Sequence, residues 1–205
     1  MDFLSNINVQ FYIATYLIAG IPFGLLLAKF FAKVDIKESG SKSIGATNVL
    51  RVVKESDPVL AKKLGIATLA LDVLKGVVVL LVAMAMGMDD SLLWTISVLA
   101  VLAHCFSPYL WFEGGKGVAT GMGVLMVMLP IETLIALVVW AISAKTIKIS
   151  SLSSLIGLVA LVTSSFYLNP AIPHAPVVII AFVIFYKHIP NIVRLIKGEE
   201  SKVTA

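Results

Sequence analysis

Three segments of this 205-residue chain carry residues whose types and spacing suit chemistry on phosphate groups. The first runs from Glu38 to Arg51 and contains Ser41, Gly45, Ala46, Thr47 and Asn48. Its two glycines let backbone approach a ligand closely, and its hydroxyls and amide are short donors. From Ala46 onward the pattern reads as a helix start, where free N–H groups and the dipole favour an anion. Arg51, one turn further on, offers a planar fork for paired contacts to phosphate oxygens. The second runs from His104 to Thr120, with Gly114, Gly115 and Gly117 around Lys116, a candidate nest for an oxyanion. It is not the nucleotide-binding P-loop, because Gly117 rather than Ser or Thr follows the lysine. In the third, His188, Asn191 and Arg194 fall at i, i+3 and i+6, near one face of a helix with Pro190 in its first turn. Each segment also has a plainer reading: a capped loop for the first two, and anchoring of the last apolar stretch for the third.

The elements that must position these residues lie in a membrane. Hydrophobic residues make up 59% of the chain and charged ones only 14%, against roughly 45–50% and 25% in soluble domains. So few charges cannot cover a water-soluble surface. A crossing needs about 20 mostly apolar residues, and candidates lie near 8–31, 64–88, 92–112, 117–130, 131–145, 151–169 and 173–188. The fourth and fifth share one apolar run broken by Pro130 and Glu132, so six or seven helices fit and seven are expected. The fold class is an all-α integral membrane protein, a single polytopic domain over 1–205. Placing the N-terminus outside puts the basic residues of 29–63, Lys116, Lys145, Lys148 and the basic tail inside, and leaves no Lys or Arg in the external turns. The net charge of +4 thus describes one basic face, on which all three segments lie. The apolar stretch from Pro108 to Phe112 is expected to dip back into the bilayer and line a site, since irregular backbone at that depth needs cover.

Other polar residues read as structural. Asp72 and Lys75, spaced i, i+3 within an apolar span, suit an ion pair. Pro22 between Gly20 and Gly24 reads as a kink. The serines at 150, 151, 153 and 154 suit helix capping, with Ser151 free to orient a substrate. One cysteine and three scattered histidines exclude a disulfide framework and give no metal-ligand spacing. No metal or organic cofactor is expected, nor nucleic acid, because the basic side faces an anionic leaflet.

The ordered segments resemble the motifs of the bacterial acyl-phosphate:glycerol-3-phosphate acyltransferases. The family's first motif is similar to Gly-Ser-Gly-Asn-x-Gly-Ala-Thr-Asn-Val-x-Arg, met here from Gly40 to Arg51; its Gly-Gly-Lys-Gly-Val-Ala-Thr is met without change at 114–120. Its His-x-x-Asn-Ile-x-Arg-Leu-x-x-Gly-x-Glu is met by His188, Asn191, Ile192, Arg194, Leu195, Gly198 and Glu200. Lys42 stands where the family usually has Gly, Ser43 where it has Asn and Glu113 where it has Lys, and His104 and Pro108 are one residue further apart than usual. The resemblance implies a cell inner-membrane enzyme, its site facing the cytoplasm, that moves an acyl chain from acyl phosphate to the 1-hydroxyl of glycerol 3-phosphate. Ser41, Lys116, His188 and Asn191 are then expected to grip glycerol 3-phosphate, and Ala46, Thr47, Asn48 and Arg51 the acyl phosphate. Gly45, Gly114, Gly115, Gly117, Ser151 and Arg194 complete the expected binding set. The acceptor proton goes to His188 or, as expected here, to the donor's own phosphate. The partners are the two substrates and membrane lipid, and a monomer is expected. The competing reading is an organic-phosphate transporter, which predicts polar residues through several spans and often an internal repeat.

Overall fold

A computed structural model describes residues 3–202. Among them every regular element is helical, and the chain separates into two compact units, the first ending at Val124 and the second beginning at Leu125. The first unit contains α1 (Ile7–Gly20), α2 (Phe23–Leu27), α3 (Ala46–Lys54), α4 (Pro58–Ala85), α5 (Asp90–Cys105) and the start of α6 (Val118–Met128). The second contains α7 (Pro130–Ile147), α8 (Ser150–Leu168), α9 (His174–Lys187) and α10 (Ile189–Ile196).

Among the described residues, five stretches are long and apolar enough to cross a membrane: Ile7–Ala32, Pro58–Ala85, Asp90–Leu110, Pro130–Ile147 and Ser150–Leu168. A sixth follows if α9 and α10, bent by 54°, make one span. The bend falls where Pro190 has no N–H for the carbonyl four residues back. The expected span at 117–130 is shorter than the sequence suggests. Its helix, α6, has 11 residues, about 16 Å of rise against a hydrocarbon core of about 30 Å. No residue of α6 is exposed. The second span begins earlier than the hydropathy does, because Asp57 caps it by accepting from the Val59 and Leu60 N–H groups at 2.9 Å and Pro58 fits its first turn. Lys62 and Lys63 therefore sit on α4 and not in a loop.

The expected kink in the first span is a full break between α1 and α2. Glycine is required on both sides of it: a Cβ on Gly20 would lie 2.8 Å from the Pro108 ring, and one on Gly24 would lie 2.0 Å from the Ile44 carbonyl oxygen. Side chains repair the broken ladder. Lys75 donates to the Ile21 carbonyl at 2.9 Å while pairing with Asp72 at 2.9 Å, and Ser107 donates to the Gly20 carbonyl at 2.7 Å. Tyr16 donates to the Phe106 carbonyl at 2.7 Å and Thr120 to the Asp72 carbonyl at 2.9 Å. The Asp72 and Lys75 side chains are 3% and 1% exposed. The ion pair read from their spacing is thus real, and it also holds the break in α1–α2.

The segment after α5, expected to dip into the bilayer and line a site, closes on itself as a short turn. Pro108–Leu110 forms one 3-10 turn, and the Leu110 and Phe112 N–H groups both return to the Ser107 carbonyl, at 3.1 and 2.8 Å. With its backbone satisfied locally, the turn leaves Tyr109, Trp111 and Phe112 exposed, with Trp111 at 92%. Aromatic side chains of this kind suit the membrane–water interface. The serines before α8 also differ from expectation, since Ile149 is the N-cap and no side chain caps this helix. Ser153 and Ser154 instead bond back to the carbonyls of Ile149 and Ser150.

Removing one partner of a buried ion pair costs about 3–5 kcal/mol. Lys75→Met should therefore lower stability by about that much in thermal unfolding in detergent. The double variant Asp72→Leu/Lys75→Met should regain most of it, short of the Ile21 carbonyl's lost hydrogen bond. A Lys75→Met protein as stable as the parent would show that the pair does not hold the break.

Candidate active site

The first segment folds around one side chain. Asn48 is 2% exposed. Its Nδ2 donates to the carbonyls of Ile36, Ser39 and Ser43 at 2.9, 3.2 and 2.9 Å, and its Oδ1 accepts from the Ser41 N–H at 2.8 Å. The sequence suggests a ligand donor here. The structure instead commits the amide to the loop itself, so its side chain shapes the site from behind. Gly40 has a φ of +62°, and a Cβ there would lie 2.3 Å from Asn48 Oδ1. Lys42, where the family has Gly, also takes a left-handed φ of 58°, a conformation that costs a side-chain-bearing residue roughly 1–2 kcal/mol.

The loop delivers the chain to α3, with Gly45 at its N-cap. The Asn48 and Val49 N–H groups bond to the Gly45 carbonyl, whereas those of Ala46 and Thr47 are the first two of the helix and have no intrahelical acceptor. A Cβ on Gly45 would meet only Ser43 Oγ, at 3.9 Å, so the space before these groups is clear. Asn48, Val49, Val52 and Val53 bury one face of α3, leaving Thr47 and Arg51, one turn apart, on the accessible side. Free N–H groups at a helix start with open space before them are an arrangement that favours an anion, and Arg51 lies one turn beyond Thr47 on the same helix.

The second segment uses its glycines differently. A Cβ on Gly114 would lie 2.1 Å from the His104 carbonyl oxygen, and one on Gly115 would lie 2.2 Å from His104 Nε2. Bareness at these two positions is therefore a packing requirement against His104, which also accepts from the Gly115 N–H at 3.0 Å. Only Gly117, with a φ of +81°, needs glycine for its backbone conformation, turning the chain into α6. The His104 ring is buried, with Nδ1 3.8 Å from Asp72 Oδ1. The half-buried Lys116 thus sits on a turn seated on His104. Glu113 pairs with Lys37 at 3.1 Å, tying this segment to the approach of the first. The Asp35 carboxyl is held below its ordinary range by Lys29, bonded at 2.7 Å, and by the Lys37 N–H.

In the second unit, the third segment is built by its own tail. His188 caps α10 and is 2% exposed, with Nδ1 2.8 Å from the Ile184 carbonyl oxygen. That contact places the proton on Nδ1, which makes Nε2 the basic nitrogen of the neutral ring. Asn191 and Arg194 share a face as the spacing predicts, and both donate to Glu200: Asn191 Nδ2 to Oε1 at 2.6 Å and Arg194 Nε to Oε2 at 2.7 Å. Ser151, reaching from α8, donates to the same Oε1 at 2.7 Å. Burial pushes the Glu200 carboxyl up, but the bonds from Ser151, Asn191 and Arg194 outweigh it and hold the group below its ordinary range. Glu200 belongs to the quoted third motif, yet its type and spacing alone assign it no role. Its place two residues after Gly198, whose φ of +71° turns the tail back, was the available signal.

Comparisons with known proteins bear on the chain as a whole. The family model described as "Glycerol-3-phosphate acyltransferase" matches residues 9–198. A protein named glycerol-3-phosphate acyltransferase from Sulfurimonas denitrificans is 70% identical over 203 residues, covering 99% of this chain and 100% of its own length. Another of that name, from a Nitratiruptor species, is 64% identical over 209 residues and covers both chains completely. The crystal structure of PlsY (YgiH), an integral membrane glycerol 3-phosphate acyltransferase in its glycerol 3-phosphate form, superposes with a TM-score of 0.86 at 30% identity, covering 97% of this chain and 96% of that one. Its lysophosphatidic acid form gives 0.82 at 31% identity, with the same coverage. By full-length sequence identity, by fold and by the ordered motifs, the chain belongs to the glycerol-3-phosphate acyltransferase family, multi-pass proteins of the membrane.

Proposed function

We propose that this protein transfers an acyl chain from acyl phosphate to the 1-hydroxyl of glycerol 3-phosphate, forming lysophosphatidic acid and inorganic phosphate. The observation that carries the reading is the family match, which spans residues 9–198 and contains the first two segments and His188, Asn191 and Arg194 of the third. The hydroxyl oxygen attacks the carbonyl carbon, and an ester C–O bond forms. The C–O bond to phosphate breaks, its electron pair leaves with the phosphate, and the acceptor proton passes to that phosphate. A mixed anhydride already has a good leaving group, so orientation and charge stabilisation suffice for catalysis.

The roles follow from the local chemistry. The Ala46 and Thr47 N–H groups and the Arg51 fork receive the acyl phosphate, with Gly45 keeping the approach clear and Asn48 shaping the loop. Ser41 and Lys116 bind glycerol 3-phosphate, with Gly114, Gly115 and Gly117 setting the lysine's turn. His188, Asn191, Ser151 and Arg194 complete its binding set. The chain acts as one polytopic domain and as a monomer, in contact with membrane lipid.

In the same proposal the chain crosses the inner membrane seven times with its N-terminus outside and its site facing the cytoplasm. Charge supports this count: with α6 as a short crossing, Lys116, Lys145, Lys148 and the basic tail share one side, whereas without it Lys145, Lys148 and the basic tail all move to the side opposite Lys116.

Purified protein in lipid should make lysophosphatidic acid from acyl phosphate and glycerol 3-phosphate, and none when acyl-CoA or acyl carrier protein replaces the donor. Losing a charge-assisted phosphate contact costs about 1.5–3 kcal/mol, so Arg51→Ala and Lys116→Ala should each lower kcat/KM by about tenfold or more. Near-normal turnover in both would remove these loops from phosphate binding. Single cysteines at Asp89 and Lys148 in a Cys105→Ser background should react with impermeant reagents from opposite faces; labelling from one face would rule out seven crossings.

A further inference from the structure

The hydrogen bonds around Glu200 fix which atoms its three partners have left to offer. Glu200 lies below its ordinary pKa range and so is ionised at neutral pH. An ionised carboxylate only accepts, so the directions of the three bonds are unambiguous. Ser151 gives its one hydroxyl proton to Oε1 at 2.7 Å and retains lone pairs alone. Asn191 turns Nδ2 to the same oxygen at 2.6 Å, which puts its Oδ1 on the opposite branch of the amide. Arg194 spends Nε on Oε2 at 2.7 Å and keeps its terminal nitrogens. Ser151 and Asn191 are 5% and 2% exposed, so water does not readily scramble this pattern.

We infer that Glu200 is a positioning residue that sets Ser151 and Asn191 as hydrogen-bond acceptors for the hydroxyl groups of the glycerol substrate, leaving its phosphate to cationic donors. The dianion, the main form of a phosphate monoester at neutral pH, carries only acceptor oxygens and gains nothing from Ser151 Oγ or Asn191 Oδ1. A hydroxyl can donate to either. The carboxylate thus acts through its partners, and the specificity it confers is for a polyol monophosphate over one lacking a hydroxyl. A site built to bond a hydroxyl rejects analogues without it, because its buried polar groups are left unpaired.

The inference rests on the proposed reaction, and the test separates the two. Wild-type protein is assayed with acyl phosphate and either glycerol 3-phosphate or 3-hydroxypropyl phosphate, which lacks the 2-hydroxyl. Wild type should favour glycerol 3-phosphate in kcat/KM by about tenfold or more. Glu200→Ala should lose most of that preference through a raised KM for glycerol 3-phosphate, with the KM for acyl phosphate unchanged. Glu200→Gln should retain much of it, because its carbonyl oxygen still accepts from Ser151 and Asn191. Ser151→Ala, which leaves the tail's other bonds in place, should lose it as Glu200→Ala does and serves if that variant fails to fold. An intact preference in Glu200→Ala and Ser151→Ala, or an equal fall for both substrates, overturns the inference. So does a lowered KM for glycerol 3-phosphate in Glu200→Ala, which would make the carboxylate a plug. A wild-type protein that acylates neither acceptor overturns the proposed reaction as well, whereas an active one with an unchanged preference in the variants overturns the inference alone.

Discussion

The bond from the Lys75 ammonium to the Ile21 carbonyl is the one on which the first unit depends. In hydrocarbon a backbone carbonyl has no water to turn to, so an interrupted helix survives only where other groups bond the exposed positions. Lys75 bonds one such position and is itself neutralised by Asp72, one turn earlier on the same helix. Ser107 does the same for Gly20, and Tyr16 for Phe106, so the break in the first span and the end of α5 are joined by reciprocal bonds. The segment that bears Lys116 leaves from the joined end of α5, and the helical stretch that leads toward Ser41 and α3 starts at the break. Their positions are therefore set by polar contacts inside an apolar unit, in addition to their own turn chemistry.

The two glycine-rich loops look alike as strings and differ as structures. Around Gly45 the missing side chain leaves open space before two N–H groups at a helix start, an arrangement ready for an anion. At Gly114 and Gly115 it is filled by His104, and the space has been used to seat a turn. One loop thus leaves its backbone N–H groups open, and the other is a mount for a lysine. His104 ties that mount to the core, through its carbonyl to Gly115 and through its ring beside Asp72. The departures from the family's motifs have local consequences of the same kind. Lys42 accepts a strained left-handed conformation, and Glu113 finds an ion-pair partner in Lys37. That pair is largely exposed, so it orients more than it stabilises.

In the second unit a single carboxylate gathers a serine from α8 and an asparagine and an arginine from α10. Pro190 breaks the chain between α9 and α10, and Gly198 returns the tail, so that residues far apart in sequence meet on Glu200. Holding a buried serine and asparagine in one hydrogen-bond polarity is a task for a charged acceptor, since a neutral partner could donate as well as accept.

Amino-acid sequence alone determined the membrane class, the apolar spans, the ion pair at Asp72 and Lys75 and the three segments of chemical interest. These rest on composition, on the length of apolar runs and on local spacing, all of which are properties of neighbouring residues. The starts of α7 and α10 followed as well, because Pro130 and Pro190 mark them wherever the chain goes, whereas the Asp57 cap starts α4 ahead of its apolar run. Only tertiary structure decided that α6 is short, that residues 108–112 form a self-satisfied turn, that Asn48 bonds inward and that Gly114 and Gly115 are bare because of His104. It alone gave Glu200 a task. Each of these depends on which distant group fills a space or completes a hydrogen bond. A donor's partner, unlike its type, is set by the packing of the whole unit.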